Sequence, residues 1–175
     1  SSDLDNNISV DLSSEFDFND TNQIYFQNMN SFSGDFSNLK IPSLTYLTIY
    51  SNTFNMDFGD IPVNWEIIQT LRANNCTLNV TSYLTNFFSG STSQIRYLYL
   101  NDTDYIGDVS NWNMGNWNGY NFYSYCFLNN TNLYGDVGQW GTPIPRSFYI
   151  HDTDIGGDIG LLDFTTNGTE QAYLG

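Results

Sequence analysis

A β-rich solenoid of short parallel strands is the fold this chain predicts, and three observations carry that expectation. The first is a segment that recurs with fixed internal spacing. Leu98-x-Leu100-x-x-Thr103-x-Tyr105-x-Gly107-Asp108-Val109 is matched by Cys126-x-Leu128-x-x-Thr131-x-Leu133-x-Gly135-Asp136-Val137 and by Phe148-x-Ile150-x-x-Thr153-x-Ile155-x-Gly157-Asp158-Ile159. The second is the step. With Ile24, Leu47, Leu71, Leu98, Cys126 and Phe148 as equivalents, the intervals are 23, 24, 27, 28 and 22 residues. The third is local alternation: Leu98 and Leu100 fall on one face of an extended segment and Tyr99 on the other. Units this short cannot bury a core alone, so they stack and share one.

Taken in order, residues 1–20 read as an N-terminal cap segment, because Ile8-Ser9-Val10-Asp11-Leu12 and Phe16-Asp17-Phe18 alternate like strands. The solenoid then occupies residues 21–175 in about six repeats. Its first repeat is irregular, with Ile24-x-Phe26 and one extra residue before Gly34-Asp35-Phe36. Leu44-x-x-Leu47-x-Ile49-x-x-Asn52-x-Phe54-x-Met56-Asp57-Phe58 is the cleanest copy, and Ile68-x-x-Leu71-x-Ala73-x-x-Cys76-x-Leu78-x-Val80 a weaker one. Segments between repeats, such as residues 111–119, are too rich in Asn and Gly for helices. Gln171-Ala172-Tyr173-Leu174-Gly175 begins a seventh strand, which predicts an uncapped C-terminal end.

These spacings resemble the leucine-rich repeat, whose strand signature is L-x-x-L-x-L-x-x-N-x-L. The Gly-Asp-Ile/Val continuation and Gly59-Asp60-Ile61-Pro62 resemble the L-x-G-x-I-P extension of its extracellular, plant-type subclass. The resemblance covers roughly residues 20 to 175. It implies a strand-lined concave face, a convex side of loops and short second strands, few helices, and recognition outside the cell. Leucines are few here; Phe, Tyr, Ile and Val stand in, giving a more aromatic interior.

The chemistry of each special position supports the pattern. At Asn52, Thr103, Thr131 and Thr153 the chain turns and leaves backbone groups to satisfy inside, a task for a small polar side chain. Cys76 occupies the same position as a small, weakly polar filler. Gly107, Gly135 and Gly157 follow at a bend that suits glycine. Cys76 and Cys126 lie two repeats apart, about 10 Å at one strand spacing per repeat, so both are expected to be buried free thiols.

Composition narrows function. Formal net charge is −15, with one lysine and three arginines, which argues against nucleic acid. No run of 18 apolar residues spans a membrane. The start, Ser1-Ser2-Asp3, is expected to be either a processed one or an artificial boundary. Sequons stand at Asn7, Asn19, Asn75, Asn79, Asn101, Asn129 and Asn167. Their number barely exceeds what this content of Asn, Ser and Thr gives by chance, so glycosylation is permitted rather than indicated.

The candidate binding surface is the concave face. Its central column reads Tyr25, Thr48, Arg72, Tyr99, Phe127 and Tyr149, flanked by Tyr50, Arg96, Tyr97, Arg146 and His151. Aromatic and arginine side chains are enriched in binding hot spots and stack on sugar rings or peptide. The competing reading is structural, since adjacent aromatics stabilise a sheet without any ligand. His151 has no Ser, Cys or second metal ligand at catalytic spacing. The aspartates Asp35, Asp57, Asp108, Asp136 and Asp158 form a second column. Stacked carboxylates repel, so each either caps a turn or, with Asp108, Asp136 and Asp158 foremost, neighbours share calcium; no other cofactor is implied.

The expected function is therefore non-catalytic recognition or adhesion on an extracellular, cell or virion surface, with protein or carbohydrate as partner. The alternative is a structural subunit of a filament, coat or virion, self-assembling through the uncapped end. A polysaccharide-processing enzyme needs converging carboxylates, and these acids repeat instead.

Overall fold

The computed structural model describes residues 9–12, 16–17, 20–27, 31–34, 39–50, 53–54, 67–78, 95–112, 124–140, 145–162, 164–165 and 169–175. Within them the protein is a β-solenoid. Its principal sheet has seven strands, all parallel: β3 (Gln23–Gln27), β6 (Tyr46–Tyr50), β8 (Thr70–Arg72), β10 (Tyr97–Tyr99), β12 (Tyr125–Phe127), β14 (Ser147–Tyr149) and β16 (Gln171–Tyr173). Each strand pairs with the one a turn before it. The register aligns Ile24, Leu47, Leu71, Leu98, Cys126, Phe148 and Ala172 in one row. This is the phase expected from the repeat. Parallel pairing needs the chain to climb only one strand spacing per turn, and links rich in Asn and Gly suit such a climb.

Second strands line another side of the coil. Before the midpoint, β1 (Ser9–Leu12), β4 (Ser31–Gly34), β7 (Thr53–Phe54) and β9 (Thr77–Leu78) form a four-stranded parallel sheet. After it, β11 (Ile106–Asp108), β13 (Asn132–Asp136) and β15 (Asp154–Gly156) form a three-stranded one. The strands β2 (Phe16–Asp17) and β5 (Leu39–Lys40) pair separately. Helical structure among the described residues is confined to 3-10 turns at Val137–Trp140 and Ile159–Leu161.

The core runs as a column between the sheets. Leu47, Leu71, Leu98, Cys126 and Phe148 form one row, and Ile49, Ala73, Leu100, Leu128 and Ile150 another. Both are buried, as the period-2 alternation demands. Tyr105, Leu133 and Ile155 close the column from the second sheet. Behind them Trp112 and Trp140 stack at 6.2 Å with planes 7° apart, and the Trp140 indole N–H donates to the Val109 carbonyl at 2.7 Å. Both tryptophans belong to the repeat: Val109-x-x-Trp112 and Val137-x-x-Trp140 share one offset. The links around them thus carry core residues, beyond the loops that their Asn and Gly content suggested.

Turn chemistry explains the polar positions. Thr103, Thr131 and Thr153 each donate a hydroxyl hydrogen bond to the carbonyl three residues back, at 2.7, 2.7 and 2.5 Å. The same oxygens of Thr131 and Thr153 accept from the N–H groups of Leu133 and Ile155. Cys76 fills this position with its thiol 3.4 Å from the Asn74 carbonyl and 3.5 Å from that of Ile49 in the preceding turn. Cys76 and Cys126 are buried thiols not joined in a disulfide, as expected, and burial pushes the Cys126 thiol far up. Immediately before each of these positions the backbone is left-handed. Asn75, Asp102, Asn130 and Asp152 have φ between 53° and 57°. All four are Asn or Asp, the non-glycine residues that tolerate this region best.

Candidate functional site

The outer face of the seven-stranded sheet is built from two rows. One runs Tyr25, Thr48, Arg72, Tyr99, Phe127, Tyr149 and Tyr173. Its neighbour runs Tyr46, Thr70, Tyr97, Tyr125, Ser147 and Gln171. Strict register brings like side chains one above another, and from Tyr99 onward the rings form a continuous stack. Centroid separations are 5.0 Å for Tyr99–Phe127, 4.5 Å for Phe127–Tyr149 and 4.6 Å for Tyr149–Tyr173. Tyr97 and Tyr125 stack alongside at 5.6 Å. Burial among neighbouring rings raises the Tyr99 and Tyr149 phenols, an effect that Arg72 partly offsets at Tyr99.

Towards the N-terminus the stack is interrupted. Thr48 and Thr70 replace rings, and a depression of about 330 Å³ opens between Tyr25, Tyr46, Arg72 and Tyr97. The Arg72 guanidinium lies 4.4 Å from the centre of the Tyr99 ring and remains exposed to solvent.

The remaining predicted face residues sit at its margins. Arg96 and Arg146 precede their strands and are half-buried; Arg146 pairs with Glu170 of the next turn. His151 follows β14, half-buried, its Nδ1 2.8 Å from Asp152 Oδ2. Tyr50 ends β6, and its side chain lies outside the described residues. The sequence pattern did not place Thr70 on this face, although it shares a strand position with Tyr46 and Tyr97.

Among the described residues the aspartates Asp108, Asp136 and Asp158 do not form a column. In the second sheet Asp108 pairs with Tyr134, and Asp136 with Gly156. The register is offset by two residues from the sequence repeat, so each carboxylate meets the next turn's glycine. A Cβ on Gly135 would overlap Asp108, and one on Gly157 would overlap Asp136. Both glycines also have positive φ, 122° and 117°. The recurring Gly-Asp pair is thus an interlock between turns: it removes the carboxylate repulsion that a strict stack creates. Each carboxylate accepts the backbone N–H two residues on, at Ser110 (2.9 Å), Gly138 (2.7 Å) and Gly160 (2.9 Å). This is the geometry of the turn-capping alternative. The Ser110 hydroxyl and N–H hold the Asp108 carboxyl below its ordinary range, and Ser110 Oγ in turn accepts from the Asp136 N–H at 2.7 Å. Among the described residues, no group of three or more His, Cys, Asp or Glu is placed to hold a metal ion.

Of the sequon asparagines, Asn75 is exposed and Asn101 and Asn129 are half-buried at the edge of the ring-bearing face. Asn7, Asn19, Asn79 and Asn167 lie outside the described residues, as do Asp35 and Asp57. Among the described residues no helix is long and apolar enough to cross a membrane. No family model, curated protein or solved structure matches this chain.

Proposed function

We propose that this protein is a leucine-rich-repeat-type recognition module, acting without catalysis at an extracellular, cell or virion surface and binding protein or glycan. The ring-bearing outer face of the seven-stranded sheet corresponds to the concave face of that repeat type. The observation that carries the reading is the unbroken row from Tyr99 to Tyr173, laid on the surface rather than into the core. Rows of aromatic rings beside arginine supply contact area at small entropic cost, the chemistry of binding hot spots. The repeat spacing and the L-x-x-L-x-L pattern support the family assignment.

The test is an array of glycans and surface proteins, followed by Tyr99→Ala with Phe127→Ala. The double variant should stay folded and lose the partner. Retained affinity in the folded double variant defeats the reading.

A second reading, a subunit of a filament, coat or virion, is favoured by large apolar side chains at the surface. Ile159, Leu161 and Tyr173 are each exposed. Concentration-dependent polymers in sedimentation, abolished by Leu161→Glu, would select it.

A further inference from the structure

Resting on the recognition reading, we infer that the depression between Tyr25, Tyr46, Thr48, Thr70, Arg72 and Tyr97 is the specificity subsite of the face, and that it takes a pyranose ring bearing a carboxylate. Its volume, about 330 Å³, is at the small end for ligand cavities and suits a single ring rather than a folded peptide. Three independent features define the occupant.

The walls are tyrosines, whose faces stack on the C–H side of a sugar and whose hydroxyls reach water. The floor is polar where the rest of the face carries rings. Thr48 and Thr70 are 7% and 6% exposed, and the Thr70 hydroxyl has no hydrogen-bond partner. A buried hydroxyl left unpaired is costly, and native structures hold few of them. Thr70 lines the depression, so a rotation of its side chain would offer this hydroxyl to a ligand hydroxyl. The third feature is Arg72. Among the described residues no lining residue is acidic and no carboxylate pairs with this guanidinium. Its position over the Tyr99 ring fixes the planar fork in a chain whose net charge is −15. An oriented, acid-free guanidinium binds carboxylate in a bidentate manner.

Titration calorimetry with sialyllactose, tri-galacturonic acid and neutral lactose tests this directly. At least one acidic saccharide should bind and lactose should not. Arg72→Gln should weaken that binding about tenfold or more, the usual worth of a charge-assisted pair. Thr70→Val should also weaken it while leaving the melting midpoint unchanged or raised. A purely structural threonine would show no loss of binding, which separates the two roles. Absence of binding by both acidic saccharides overturns the proposal, as does equal binding of lactose or indifference to Arg72→Gln. Failure of the subsite is distinguishable from failure of the recognition reading. If Tyr149→Ala abolishes capture of an array partner and Arg72→Gln does not, recognition stands and the subsite falls. If neither variant alters any capture, both fall.

Discussion

The two sides of this coil hold their turns together by different means. On the seven-stranded side like sits over like: tyrosine on phenylalanine on tyrosine, in strict register. On the second side, beyond the midpoint, unlike sits over unlike, each aspartate over the next turn's glycine, two residues out of phase with the sequence repeat. Stacked rings tolerate substitution, since any flat apolar side chain continues the row. The interlock does not, because a glycine with positive φ and no room for a Cβ has no substitute. One side therefore secures the fold and leaves the other open to vary.

This contrast makes graded predictions. The largest effect belongs to Gly157→Ala, which combines a disfavoured φ with an overlap on Asp136; it should cost about 2–4 kcal/mol in a denaturant melt, with Gly135→Ala close behind. A neutral result would dissolve the contrast at once. Next is Thr131→Val, which leaves the buried Leu128 carbonyl without its hydroxyl donor and should cost about 1–3 kcal/mol. Phe127→Ala on the ring-bearing side should cost less, roughly 0.5–1.5 kcal/mol, while harming ligand capture most. Were it to destabilise as much as Gly157→Ala, the rings would be structural after all.

A smaller effect is set by pH. The Asp108 carboxyl is lowered in the folded protein by Ser110, so its stabilising contribution is fully present above the ordinary carboxylate pKa, about 3.9. It is lost as pH falls through the lower folded value. Midpoints recorded from pH 6 down to pH 2 should therefore drop less steeply for Asp108→Asn than for the native chain. An identical slope would show the carboxylate to be idle. The smallest effect is expected from chelator: with the three carboxylates committed to N–H groups, the melting midpoint should not move.

Strand phase was legible in the sequence because it depends only on alternation and spacing, which Leu98, Leu100 and Tyr99 display locally. The ring column followed from that phase without further information. The stagger of the second sheet was not legible. Repeats align Gly107 with Gly135, yet pairing sets Gly107 beside Leu133 and Gly135 beside Ile155, the same two-residue shift in both turns. Aligned aspartates consequently suggested a carboxylate column that the fold avoids. The Trp112–Trp140 stack and the left-handed Asn/Asp row were visible as constant offsets from Val109, Val137 and the threonines. The Asn and Gly content around Trp112 masks the first, and backbone handedness leaves no trace in apolar alternation. Thr70 escaped because one hydroxyl among tyrosines looks unremarkable until its missing partner is seen in three dimensions.

The left-handed row bears on how two of the glycan-acceptor triplets arise. Asn101-Asp102-Thr103 and Asn129-Asn130-Thr131 each place an Asn or Asp at the left-handed corner and then a threonine whose hydroxyl is bonded to Leu100 or Leu128. Corner geometry selects the second and third residues of each triplet but not the acceptor asparagine, whose place in the next turn is taken by His151. A transferase that needs the threonine hydroxyl would have to arrive before the turn closes, making occupancy at Asn101 and Asn129 a clock for how fast each rung is laid down.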